Sequence, residues 1–320
     1  TDALYLTAID KYGHELWRWT FPVNKLNQQT EQLSPLSSRP TYTETENDLT
    51  VKANKRTFIF SKKDGQLKGV SVDNRKISFA NGPRFIGARR ADRSLDQFYN
   101  HDDEKAKEKD RTYSEFPDAA VFTKLDVKQD GGDLVVTANY KLGNLDKAQW
   151  TINPSGDLAL DYTYNFSGVV DLMGIRFDYP EDQVISKRWL GAGPYRVWQN
   201  RIHGTQYDVW ENDYNDPIPG ETFTYPEFKG YFGDVSWMNI QTKEGTISLT
   251  NETPDTYIGV YQPRDGRDRL LYTLPESGIS VLNVIPPVRN KVNSTDLCGP
   301  SSQPKWVNGP QTGRVIFRFM

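Results

Sequence analysis

The sequence predicts a large all-β sandwich, on three observations. Alternating apolar and polar runs fill most of the 320 residues, bounded by Gly, Pro, Asn or Asp turns about every 8–12 residues. Turn formers and rings are abundant, with 24 Gly, 19 Pro and 12% aromatics. Helical periodicity is missing, because the one helix-friendly stretch, 102–111 (DDEKAKEKDR), is charged all round and reads as an exposed loop or short surface helix. With no alternating βα units, a Rossmann sheet or a TIM barrel has no room in the chain. With no repeat of about 20–50 residues, neither has a propeller or solenoid.

Residues 3–23 (ALYLTAIDKYGHELWRWTFPV) set Leu4, Leu6 and Ala8 against Tyr5, Thr7 and Ile9. They break at Tyr12-Gly13 and resume from Glu15 to Phe21 as a strand pair. Two strands are marginal in water, so the pair reads as the end of a preceding β domain. Polar, Ser/Pro/Gln-rich 24–40 reads as a linker, dividing the chain at 1–40 and 41–320. Residues 56–72 form a hairpin about Lys63-Asp64-Gly65, where glycine takes positive φ at little cost. Residues 119–142 and 147–168 form a four-strand meander, turning at Gln129–Gly132 and Asn153–Gly156. Further strands are expected at 173–179, 184–190, 231–241, 245–249, 255–261, 278–284 and 312–319.

Net charge is -3, so no basic field invites nucleic acid. No apolar run approaches the ~20 residues of a membrane-spanning helix. A single cysteine, Cys298, excludes an internal disulfide. His14, His101 and His203 are too scattered for zinc, which needs three or four convergent ligands. Nucleophile-elbow, phosphate-loop and metalloprotease motifs are absent. Asn251-Glu252 reads as a turn between strands.

Two stretches stand out. In DVWENDYND (208–216), Asp208, Glu211, Asp213 and Asp216 alternate with Trp210 and Tyr214. That suits a sugar subsite or a solvated loop. Glu211, Asp213 and Asp216 also have oxygen-ligand spacing for a structural cation, without an EF-hand register; no cofactor is expected. In WLGAGPYRVWQNR (189–201), Gly191 and Gly193 allow a sharp turn or close backbone approach. Pro194 ends the strand begun near Val184. Trp189 and Trp237 read as core, and Arg176 and Arg201 as ties to loop carbonyls or to a carboxylate such as Asp178 or Asp234.

GIRF (174–177), Trp189, the run to Pro194 and Arg201 resemble the C-terminal, small-chain domain of the β-galactosidases of glycoside hydrolase family 2. That family reads Gly-Met-Arg-Phe, then Trp-x-Gly-x-Gly-Pro-x-Glu-x-Tyr-x-Asp-Arg. Arg196, Trp198 and Asn200 stand where it has Glu, Tyr and Asp. PEFKGYFGDVSW (226–237) keeps Pro226, Gly230, Asp234, Val235 and Trp237 of Pro-Gln-Glu-x-Gly-x-Arg-x-Asp-Val-Arg-Trp, and replaces its polar Gln, Glu and Arg by Glu227, Phe228 and Phe232. RRADRSLD (89–96) keeps Arg90, Ala91 and Asp96 of Arg-Ala-Pro-Thr-Asp-Asn-Asp.

The resemblance covers about 50–320 and marks a divergent member. It implies a β-supersandwich, shared with galactose mutarotase, preceded by a partial immunoglobulin-like domain at 1–40. It implies catalytic carboxylates in an upstream TIM barrel, so that this chain is inactive alone and lends a wall to a carbohydrate site. Trp306 is the counterpart of a family tryptophan near the C-terminus. The candidate carbohydrate contacts are Arg196, Trp198, Asn200, Arg201, Trp210 and Trp306. Implied partners are a carbohydrate and the upstream TIM-barrel and immunoglobulin-like domains; the implied location is periplasmic or secreted in bacteria. An independent carbohydrate-binding module and a mutarotase-like epimerase are the competing readings.

Overall fold

The computed structural model describes residues 3–22, 38–90, 113–213, 230–260, 275–287 and 299–320. Most of the expected linker and the whole charged stretch 102–111 lie outside them. β1 (Ala3–Ile9) and β2 (Glu15–Pro22) form a separate two-stranded antiparallel sheet. Successive strands β3 (Thr41–Glu44), β4 (Asp48–Ala53), β5 (Arg56–Ser61) and β6 (Leu67–Val72) follow, then β7 (Arg75–Ile77), β8 (Ala80–Arg90) and β9 (Tyr113–Glu115). The meander is β10 (Val121–Asp130), β11 (Asp133–Lys141), β12 (Leu145–Ile152) and β13 (Leu158–Val170). Next come β14 (Leu172–Asp178), β15 (Val184–Gly193), β16 (Gln206–Asp213), β17 (Phe232–Gly233) and β18 (Trp237–Thr242). β19 (Gly245–Asn251), β20 (Tyr257–Val260), β21 (Ile279–Val284) and β22 (Lys305–Phe319) complete the chain.

These strands build two antiparallel sheets. The nine-stranded sheet runs β10-β11-β12-β13-β22-β19-β18-β15-β16. The eleven-stranded sheet runs β17-β20-β21-β14-β8-β6-β5-β4-β3, with β7 on β6 and β9 on β8. This is the expected β-supersandwich. Period-two alternation drives it: β13 buries Leu158, Leu160, Tyr162 and Tyr164, and β22 buries Val315, Phe317 and Phe319. Their rings meet those of the opposite sheet. Phe317 lies 5.0 Å from Phe79 and meets Phe177 edge-on at 5.3 Å. Each such pair adds about 0.5–1.5 kcal/mol beyond the area it buries.

Three elements differ from the sequence reading. The single strand expected at 231–241 is two, because the chain changes sheets there. β17 pairs with β20 and β18 with β15 and β19, and Asp234 between them takes a φ of 50°. The acidic stretch from Asp208 to Asp213 is strand, the edge of the nine-stranded sheet, where charges discourage pairing with other chains. β8, broken in sequence by Gly82-Pro83 and Gly87, carries no clean alternation, yet it pairs with β14 near the middle of its sheet.

Candidate functional site

The corner at 189–201 is where β15 ends. Trp189 is fully buried, donates its indole N–H to the Ala192 carbonyl at 3.0 Å, and meets Phe232 edge-on at 4.9 Å. Gly191 lies against the backbone of the segment between β17 and β18: a Cβ there would sit 2.9 Å from the Gly233 carbonyl oxygen. At Gly193 a Cβ would enter the Trp210 ring. Pro194 terminates β15 as expected.

Beyond Pro194 the chain alternates between core and solvent. Tyr195 is 45% exposed. Arg196 and Trp198 are buried, and neither presents surface to solvent. The Arg196 guanidinium lies 5.4 Å from the Phe232 ring centre, with the buried Lys187 ammonium at 6.0 Å from the same ring. Trp198 packs edge-on against Tyr231 at 5.7 Å. Val197 exchanges two backbone hydrogen bonds with Tyr231, at 2.8 and 2.9 Å, and a Cβ on Gly230 would strike the Val197 carbonyl. Trp198 and Arg201 close a tight turn through Arg201 N–H to Trp198 O at 2.8 Å.

A clamp joins this turn to the C-terminal strand. Gln199 donates its backbone N–H to Pro286 O at 3.0 Å, and its side-chain amide to Ser301 O at 3.0 Å and Gln303 O at 2.6 Å. Asn200 donates to the Ser302 hydroxyl at 3.1 Å. The clamped 3-10 turn, Pro300–Ser302, leads directly into β22, where Trp306 stands 72% exposed. The structure thus brings Asn200 to the segment that carries Trp306. Arg201 is exposed on the same turn. Trp210 lies apart on β16, half-buried over Gly193, with its indole N–H on the Gln206 carbonyl at 3.1 Å. Sequence reasoning missed Gln199, whose acceptors are backbone carbonyls more than a hundred residues away and leave no local signal.

Glu211 faces Arg188 at 3.9 Å, Asp213 is at the end of β16, and Asp216 lies outside the described residues. No group of three or more metal-ligating side chains occurs among the described residues. Arg176 donates to the Glu276 carbonyl and approaches Glu115, whereas Asp178 is held by Arg84 and Asn81. His14 is exposed beside Asp10, His203 lies in an exposed turn, and His101 is outside the described residues.

A family model described as beta galactosidase small chain matches residues 52–285. No curated protein matches the chain. Among solved structures, the chain is similar to a galactose 1-epimerase from Lactobacillus acidophilus at 10% identity, covering 88% of this chain and 99% of that one with a TM-score of 0.48. It is also similar to an aldose epimerase homologue from C. elegans, at 8% identity, 88% and 99% coverage and a TM-score of 0.39. A third is a putative mutarotase from Salmonella typhimurium, at 10% identity, 90% and 94% coverage and a TM-score of 0.38.

Proposed function

The chain belongs to the β-galactosidase small-chain family, and from that premise we propose that it is the non-catalytic C-terminal domain of a family 2 glycoside hydrolase, contributing a wall to its carbohydrate site. The observation that carries this reading is the exposed Trp306, set on a strand whose entry is clamped by Gln199 and Asn200. An indole presented from a rigid position offers a flat apolar platform to one face of a pyranose ring. Tyr195, Asn200 and Arg201 supply polar edges on the same corner. Arg196 and Trp198 act here from beneath, by packing on Phe232 and Tyr231.

The β1–β2 sheet supports a preceding immunoglobulin-like domain. Leu4 pairs with Phe21, Leu6 with Trp19 and Ala8 with Trp17, so one face is an apolar ladder. Its large side chains are 45–63% exposed. A patch of that kind marks an interface, and packing on the rest of such a domain would cover it. Ala3 is tucked against the sandwich, beside Leu190 and Trp237.

Two assays test the reading. The chain incubated with a chromogenic β-galactoside is expected to release no chromophore above the blank; turnover would remove the non-catalytic role. Intrinsic tryptophan fluorescence, titrated with galactose and lactose, is expected to shift in the chain and not in Trp306→Ala, and identical titrations of the two would remove the platform. The same exposed indole favours an independent carbohydrate-binding module as the second reading. Under that reading the isolated chain matches the parent protein in sugar affinity; under the first it binds far more weakly.

A further inference from the structure

β22 outruns its neighbour. β19 accompanies it only from Phe319 to Val315 and leaves at Asn251, whereas β13 stays paired as far as Lys305. After Asn251 the chain crosses to β20 in the other sheet. Their parting opens a groove of about 820 Å³ beside Pro310–Arg314, walled by Glu252–Asp255 and by Gln149 and Asp161, and reaching Asn283 on β21. Sites for small organic ligands measure about 300–1,000 Å³.

The walls are held in place. Arg314 bridges two carboxylates, donating Nε to Glu252 at 2.9 Å and Nη1 to Asp161 at 2.5 Å. The Thr253 hydroxyl accepts the Arg314 N–H at 2.7 Å and donates to its carbonyl at 3.1 Å, and the Glu252 N–H donates to that carbonyl at 3.1 Å. Asn283 Oδ1 accepts the Tyr164 hydroxyl at 2.6 Å, which leaves its amide N–H groups for the groove. Tyr162, 2% exposed, also lines it. The Tyr162 hydroxyl lies over Gly313 and beside Thr253.

The chemistry of the lining selects its ligand. Lys147 and Arg314 nearly balance Asp161, Glu252 and Asp255, so no field draws in a polyanion. Apart from prolines, the accessible walls carry no large apolar anchor among the described residues, of the kind that peptides and lipids need. Carboxylates, amides and hydroxyls side by side instead match vicinal diols, in which each hydroxyl both donates and accepts. We propose that this groove is a second binding site, for a neutral saccharide, distinct from the corner at 189–201 and independent of what that corner does.

The test is isothermal titration calorimetry of the chain with galactose, lactose and neutral galacto-, gluco- and xylo-trisaccharides. At least one is expected to bind, with Kd about tenfold weaker in Asn283→Ala and in Gln149→Ala. Lys128→Ala on β10 is expected to leave binding unchanged. Gln149 faces outward, so its variant keeps the question answerable if Asn283→Ala melts early. Binding by none of the sugars, binding indifferent to both substitutions, or tighter binding of heparin than of any neutral sugar would overturn the proposal. Loss on Trp306→Ala with no loss on Asn283→Ala or Gln149→Ala would also overturn it, assigning the binding to the corner and leaving the earlier reading standing.

Discussion

Replacing Gly191 by alanine tests whether the corner depends on close backbone approach. The added Cβ would lie 2.9 Å from Gly233 O and 3.1 Å from both Asp234 O and the Val235 Cα. Comfortable separations are about 3.5–4.0 Å between carbons. Every one of these neighbours is backbone, so no rotamer change relieves the clash and two segments must separate. Overpacking of this kind costs about 1–3 kcal/mol. The same separation strains the Ser236 N–H to Leu190 O bond, 2.9 Å long, worth about 0.5–1.5 kcal/mol. The expected loss is therefore about 2–4 kcal/mol, or about 4–8 °C in Tm at the ~2 °C per kcal/mol of a large domain. Gly69→Ala is the matched control: a Cβ there meets nothing within 4 Å and φ is not positive, so alanine should stabilise by about 0.4–1 kcal/mol. Differential scanning calorimetry measures both, and near-ultraviolet circular dichroism follows the buried Trp189. A Gly191→Ala Tm within about 1 °C of the parent, or an equal fall in Gly69→Ala, would refute the reasoning.

Two further outcomes follow from burial. Burial pushes the phenols of Tyr162, Tyr164 and Tyr231 above their ordinary value; unfolded, they ionise near pH ~10 and the folded chain resists. Their contribution is intact below pH ~10 and falls as pH rises beyond it, by up to about 1.4 kcal/mol per group per unit. Phenolate absorbance is expected to rise in two stages, the second coinciding with unfolding, and one reversible step embracing all 17 tyrosines would contradict it. The double substitution Trp17→Thr, Trp19→Thr is expected to lower binding of a hydrophobic dye while leaving the sandwich Tm within about 1 °C, because both rings sit on the exposed ladder. A fall of several degrees would show that the ladder packs on the sandwich after all.

The strands were legible where one face is buried and the other wet. β11 and β12 alternate almost without fault, and glycine marks the turns between β5 and β6 and between β10 and β11. Legibility failed where a strand does something besides alternate. β8 carries Gly82-Pro83, where a Cβ on Gly82 would collide with Phe177, and it pairs with β14 despite that break in pattern. β16 is an edge strand, so charges are welcome along it and hide the pattern. The split between β17 and β18 is a change of sheet, a property of topology that no local window contains.

The corner shows the same division at the level of a site. Gly191, Gly193 and Pro194 were readable because the residue type itself announces the demand, close approach or a strand end, whatever the partner. Tyr195 to Arg201 were not, because whether a ring faces solvent there depends on partners far along the chain. Trp198 looks like a sugar platform in sequence, and it is buried because Tyr231 closes over it and Val197 is tied to the same residue. Trp306 is exposed instead, and the amide of Gln199 holds the turn that leads to it. A Gln199→Ala variant would therefore free the turn at 300–302 without touching the Trp306 ring. If the ring works as a rigid platform, sugar affinity falls in that variant too. Undiminished affinity would mean that the indole binds without being held, and the clamp would be a matter of folding alone.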